Sequence, residues 1–179
     1  MRQNKFLISV VVFIFIFMFP ARANSPVMTE ADIDNMKAAF IYNFTKYITW
    51  PHMDNFNVFR IGLIGDSKIV VPFQQMAEKK MVGNKPIVFR NYDDIQTMSF
   101  CHILFISESE GDRIVQILSK LTDRSTLTVG DTPGFCKRGI MTNFFSEGGK
   151  VKFEMNTAKL ESVGLKASSQ LQKLARIIE

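Results

Sequence analysis

The side chains able to do chemistry in this chain are few and far apart. Its two histidines, His52 and His102, have no Cys, His or carboxylate at metal-ligand spacing, so no metal site is expected. His52 follows Trp50-Pro51 in a turn, and His102 opens an apolar run. No GxSxG elbow marks a serine nucleophile. Neither GxGxxG nor GxxxxGK[ST] marks a phosphate cradle. Two glycine turns, Gly65-Asp66-Ser67 and Gly130-Asp131, follow β-rich segments. The carboxyl ends of strands in open α/β sheets are where ligands bind, so these five residues form the candidate ligand cleft. An anion there would meet a helix N-terminus behind Asp66 but also the charge of the aspartate itself. Turn and cap chemistry accounts for the same residues without a ligand. The reading is therefore no catalytic residue, no cofactor and no enzyme.

Two cysteines remain, Cys101 and Cys136. Cys101 begins an apolar strand, which suits an inert buried thiol. Cys136 follows the exit end of the next expected strand, and five strand residues span about 16–17 Å. Bridged Cα atoms lie about 4.4–6.8 Å apart, so a Cys101–Cys136 disulfide is open only if the 131–138 loop folds back, and it is disfavoured. Glu154, between Phe153 and Met155 in a strand-like run, points away from both. It reads as a solvated strand residue, and Leu160 in the segment after it, if exposed, would join it in a docking patch.

The elements that must position these residues alternate. From Asp32, Ile33, Met36, Phe40, Phe44, Tyr47 and Ile48 recur at helical spacing until Trp50-Pro51 ends the stripe. Strands are expected over residues 58–64, 85–90, 101–106 and 125–129, and helices over 69–80 and 108–121, with a helical turn at Asp93-Asp94. Runs 140–145 and 150–155, joined through Ser146-Glu147-Gly148-Gly149, read as a hairpin. Asn156 caps a short helix ending at Gly164, and a last helix from Ser168-Ser169 shows Leu171, Leu174, Ala175 and Ile178 on one side. The fold class expected is α/β: a single three-layer domain with a mostly parallel sheet flanked by helices and a C-terminal antiparallel β-hairpin.

The N-terminus supplies an address. Arg2 and Lys5 precede residues 6–19, which carry no charge and only Ser9 as a polar residue; Pro20 and Ala21-Arg22-Ala23 follow. This predicts an export signal cleaved after Ala23, too short for the roughly 20 residues of a membrane span. No cysteine follows the run to suggest a lipoprotein. The signal holds three of the 22 basic residues and none of the 17 acidic ones, so residues 24–179 carry 19 basic against 17 acidic groups. They form one nearly neutral domain, with no basic footprint for nucleic acid.

Five ordered blocks carry a resemblance. Residues 37–44 and 47–51 (KAAFIYNF, YITWP), 101–107 (CHILFIS), 127–131 (LTVGD), 139–144 (GIMTNF), and 151–156 with 165–175 resemble the YfiR-like periplasmic family over nearly all of residues 34–176. The resemblance implies a non-enzymatic periplasmic repressor of an inner-membrane diguanylate cyclase, acting on its periplasmic sensor region. Cyclic di-GMP, and with it biofilm and exopolysaccharide, would fall. It also implies sequestration by an OmpA-like outer-membrane lipoprotein, and a homodimer. Carried over by position, Glu154, Leu160 and Thr142 correspond to partner contacts. Cys136 stands where the family can carry a structural cysteine, but Asn143 occupies the position of its nearby partner. The alternative reading is a periplasmic small-molecule-binding sensor domain, with the Gly65–Gly130 cleft as its pocket.

Overall fold

The computed structural model describes residues 28–121 and 125–179; the expected signal, residues 1–23, lies outside the described residues. Helix α1 (Glu30–Tyr47) begins at a capping box, in which Thr29 Oγ1 accepts the Asp32 N–H at 3.2 Å and Asp32 Oδ2 accepts the Thr29 N–H at 3.0 Å. Its buried line is Ala38, Ile41 and Phe44. Ile48–Thr49 (β1) then pairs antiparallel with Lys166–Ala167 (β9). Trp50 turns inward, donating its indole N–H to the His102 carbonyl at 3.0 Å and packing edge-on to Phe59.

Among the described residues the main sheet has eight strands. Phe59–Ile64 (β2) is flanked by Lys85–Tyr92 (β4) on one side and Ile103–Ile106 (β5) on the other, followed by Leu127–Gly130 (β6) and Thr142–Glu147 (β7), all parallel. Lys150–Met155 (β8) returns antiparallel to β7. Gly148 and Gly149 alone form the turn, with φ of 59° and 71°, the left-handed pair a two-residue hairpin demands. The short strand Met81–Val82 (β3) edges β4.

Helices cover both faces. Phe73 and Met76 of α2 (Val70–Lys79) join the α1 residues and Phe105, Val129, Phe144 and Phe153 in one core. Ile114 and Ile117 of α3 (Ile114–Lys120) join Ile64, Leu104, Ile106 and Phe135 in the other. These two cores make the three layers, and the α/β class with its parallel sheet and hairpin is as expected. Asn156 caps α4 (Thr157–Ser162), its Oδ1 accepting the Lys159 N–H at 2.8 Å.

Two expected helices differ. Residues 108–113 form a 3₁₀ turn before α3 rather than its first turns, as suits a segment interrupted by Gly111. The C-terminal helix α5 stops after Ser169–Gln172, and Arg176–Ile177 (β10) pairs parallel with Glu154–Met155. The open edge of β8 offers main-chain partners, and the Ile178 N–H donates to the Met155 carbonyl at 2.9 Å. Leu174, placed by periodicity on a buried helical face, is 67% exposed.

Candidate functional site at the carboxyl edge of the sheet

The chain runs from β2 to β4 on one side, then to β5 on the other, so the strand order reverses between β2 and β5. Ligands of open sheets bind at such a point, and Gly65-Asp66-Ser67 lies there. Side chains already fill the crevice. Ser109 Oγ accepts the Asp66 N–H at 2.9 Å and lies 2.7 Å from Ser107 Oγ. Gly65 has φ +87°, and a Cβ on it would stand 2.3 Å from Ser107 Oγ. Ser67 Oγ accepts the Ile69 N–H at 3.4 Å. Glu110 is buried beside them, paired with Arg113 at 2.6 Å, and its Oε2 has no hydrogen-bond partner.

Two strands away, Gly130 lies against the Phe135 ring: a Cβ would meet it at 2.6 Å. Asp131 is bound by Lys37 at 2.6 Å, with Asp34 at 3.6 Å from the same ammonium. Lys37 and Asp131 line a small hollow of about 170 Å³ with Ile33 and Phe144. The two glycine turns are thus separated by β5 and served by different side chains.

Strand β7 starts level with the end of β6, Gly130 opposite Asn143, so the hairpin projects beyond the carboxyl edge. Glu154 sits at the base of this projection, opposite Asn143 on one side and Arg176 on the other. It is half-buried rather than freely solvated. Asn143 Nδ2 donates to Glu154 Oε1 at 3.4 Å and to the Phe144 carbonyl at 3.2 Å, while its Oδ1 accepts the Thr132 N–H at 3.2 Å. The loop after β6 carries the Cys136 thiol onto the same carboxylate. Burial, then the charge of Glu154 and a hydrogen bond to it, push that thiol far above its ordinary pKa.

Two expected surface contacts are corrected. Leu160 is 1% exposed, packed in the α1-side core with Met155 and Leu165. Thr142 is fully buried, opposite Val129 and Met155, with its hydroxyl unpartnered. Both belong to the inward face, since α4 folds its apolar residue under the sheet. No disulfide joins Cys101 and Cys136, and both are buried; Cys101 lies beneath Gly62, in the other half of the sheet. At position 143, Asn143 ties Thr132 to Glu154 where the resemblance placed a cysteine.

Sequence reasoning missed the outer border of this site. The Arg176 guanidinium lies 4.0 Å over the Phe145 ring and binds Glu147 at 2.7 Å, and Lys152 pairs with Glu147 as well. Beside them Phe40, Phe145, Val151, Phe153 and Leu174 line a hollow of about 370 Å³. Because β10 pairs only with Glu154 and Met155, residues Lys150–Phe153 have no strand partner on their outer side among the described residues. The one signal available was the isoleucine pair after Arg176, which favours strand over helix.

His102 stays away from this edge. It is fully buried among Phe56, Phe59 and Phe100, and Nδ1 accepts the Arg60 N–H at 2.9 Å. Burial, reinforced by the nearby Arg60 charge, pushes its pKa down to about 4. The imidazole is therefore neutral, and its Nε2 has no hydrogen-bond partner. Among the described residues no cluster of three His, Cys, Asp or Glu side chains could hold a metal ion, and no helix is long and apolar enough to cross a membrane.

Comparison with known proteins places this geometry. The family model described as DUF4154, YfiR/HmsC-like, matches residues 34–176. No curated protein matches the chain. Among solved structures, a conserved domain protein from Vibrio cholerae O1 biovar El Tor is similar at 11% identity and TM-score 0.58, over 82% of this chain and 60% of that one. The ABC domain in complex with L-Trp from Streptococcus pneumoniae gives 10% identity and TM-score 0.58 over the same shares. The chain thus spans about 60% of the length of these structures, and at such identity they share the fold alone. The chain belongs to the YfiR/HmsC-like family, whose domains are non-catalytic periplasmic regulators.

Proposed function

We propose that this member of the YfiR/HmsC-like family represses an inner-membrane diguanylate cyclase by binding its periplasmic sensor region. Cyclic di-GMP output, and with it biofilm and exopolysaccharide, falls while the complex lasts. Cleavage after Ala23 delivers the chain to the periplasm. An OmpA-like outer-membrane lipoprotein relieves the block by competing for the chain, and a homodimer is the resting form. The observation that carries the reading, besides the family itself, is the unfinished sheet edge beside Glu154. Leu174 and Ile177 stand 67% and 44% exposed there, next to a strand whose outer hydrogen-bonding groups lack a partner strand. Such an edge accepts an added strand, with side-chain hollows giving selectivity.

Deletion of the gene is expected to raise cyclic di-GMP and surface attachment. Complementation with Leu174→Asp, which changes an exposed side chain, is expected to give a folded, exported protein that fails to restore repression. Unchanged cyclic di-GMP in the deletion strain overturns the reading. Glu154→Gln keeps an acceptor for Asn143 while removing the charge, so it separates the carboxylate's role in contact from its role in folding.

A second reading, a small-molecule sensor, has one observation of its own: the buried, unpartnered Glu110 Oε2 at the strand-order reversal. Saturable thermal stabilisation by a small molecule, lost in Glu110→Gln, would favour it.

A further inference from the structure

Helices α1 and α2 run side by side in the same direction and leave a groove along their outer surface. Its first half, about 360 Å³, is bordered by Glu30, Asp34, Lys68 and Val71. Its second half, about 430 Å³, is bordered by Tyr42, Lys46, Lys79 and Lys80. Asn35, Pro72 and Gln75 line both halves, which makes the groove continuous. From Glu30 to Lys46, at 1.5 Å per helical residue, it runs about 24 Å, the length of about seven extended residues.

The charge along it is uneven. In the first half Glu30 and Lys68 neutralise each other at 2.6 Å. In the second half no carboxylate lines the wall, and Lys46, Lys79 and Lys80, all exposed, make no ion pair among the described residues. Lys46 and Lys80 hold their ammonium groups 4.7 and 5.8 Å from the centre of the Tyr42 ring. The ring is fixed by its hydroxyl, which donates to the Met81 carbonyl at 3.1 Å. Lysines at helix C-termini offset the helix dipole, but each terminus carries only about half a negative charge. Three lysines against two termini leave a net positive end. Val71, one of the large apolar side chains left exposed (56%), borders the same groove.

From this we propose that the α1–α2 groove docks an extended acidic segment, about seven residues long, of a partner protein. Its carboxylates meet Lys46, Lys79 and Lys80, and an apolar side chain rests on Val71. The length of the groove favours a polypeptide over a compact metabolite, and the first half, where Glu30 and Asp34 face the single charge of Lys68, repels further acid and so favours a segment acidic at one end only. None of these residues belongs to the edge around Glu154, so the groove is a second contact surface and its test is independent of the repressor reading.

The probe is a fluorescein-labelled heptapeptide with three glutamates at one end and a leucine near the other, together with its reversed sequence and a glutamine-for-glutamate control. Anisotropy against the purified protein should show saturable binding of one glutamate peptide that weakens with salt, and no binding of the glutamine control. Lys80→Glu should weaken it roughly tenfold, while Lys173→Glu, an exposed lysine outside the groove, should leave it unchanged. Circular dichroism checks folding; should a charge reversal not fold, Lys46→Gln and Lys80→Gln carry the same test. The proposal is overturned if neither glutamate peptide saturates or if Lys173→Glu weakens binding equally. It is overturned too if phosphatidylglycerol vesicles bind through the same lysines while the peptides do not, which would make the groove a membrane contact.

Discussion

Lowering the pH from 7.5 to 5 should destabilise the protein through one buried imidazole. In the unfolded chain a histidine titrates near 6.5; in the folded chain His102 titrates at about 4, chiefly because it is buried. Between those values the unfolded state takes up a proton that the folded state refuses, so stability is full above pH 6.5 and drains as the pH falls toward 4. The whole shift corresponds to about 3 kcal/mol, and the part lost by pH 5 to about 2 kcal/mol. For a chain of this size that lowers Tm by roughly 4–8 °C. The carboxylates whose pKa values are lowered, Glu30, Asp32 and Glu147, lose their contributions only below their ordinary range and leave this window clear. Urea unfolding at pH 7.5, 6.5, 5.5 and 5 measures the slope. The control is His102→Asn, whose amide oxygen can accept the Arg60 N–H but cannot titrate. It should be less stable at pH 7.5, having lost the ring contacts with Phe56, Phe59 and Phe100, yet flat with pH. A flat wild-type profile, or a slope that survives in His102→Asn, refutes the reasoning.

Cys136 should resist iodoacetamide at pH 8 in the native protein, reacting roughly a hundredfold more slowly than an exposed thiol, and should label at the ordinary rate in urea. Because burial outranks Glu154 among the causes of its raised pKa, Glu154→Gln should leave native labelling slow; fast labelling would mean the charge was the protection. Gly130→Ala should cost about 1–3 kcal/mol by overpacking, since its Cβ would meet Phe135 at 2.6 Å and Asn143 Oδ1 at 3.0 Å. A melting temperature equal to wild type would show that Phe135 moves aside freely.

The fold was readable where local chemistry decides it. The run Ile103–Ile106 is apolar without interruption, as a strand covered on both faces must be. Gly148-Gly149 could serve only as a left-handed turn, and Asn156 could cap the helix after it. Sequence failed where a distant element decided. Leu171, Leu174, Ala175 and Ile178 satisfy the helical period, yet the vacant edge of β8 captured the end of the chain as a strand. The same limit governs the site. The alternation of Phe153, Glu154 and Met155 revealed which way the carboxylate points. Its neighbours Asn143 and Cys136 come from a strand and a loop whose placement no local pattern reports. Thr142 and Leu160 were misplaced for that reason: exposure is a tertiary property.

Repression of the kind proposed must act by difference in affinity. Moving a two-state sensor from almost wholly active to almost wholly inactive requires binding one state about 10⁴-fold more tightly than the other, or about 5.5 kcal/mol. Apolar contact discriminates poorly between two conformations of one partner, because it depends on area rather than direction. Main-chain hydrogen bonds depend on both distance and angle, so an unfilled strand edge rejects a partner segment displaced by a single register. The border of β8 combines the two. Lys150–Phe153 offers a directional edge, and Leu174 and Phe145 flank it with an apolar hollow. Glu154 meets Asn143 and Cys136 at the base of the hairpin, and an edge held in place by such contacts loses little order at binding. On this argument Asn143→Ala, which removes no surface contact, should weaken repression by loosening the strand pair, and Leu174→Ala should weaken it by removing contact area. Amide hydrogen exchange separates the two: faster exchange along Lys150–Met155 is expected in Asn143→Ala and not in Leu174→Ala. Equal exchange in both variants would remove rigidity of the edge from the mechanism.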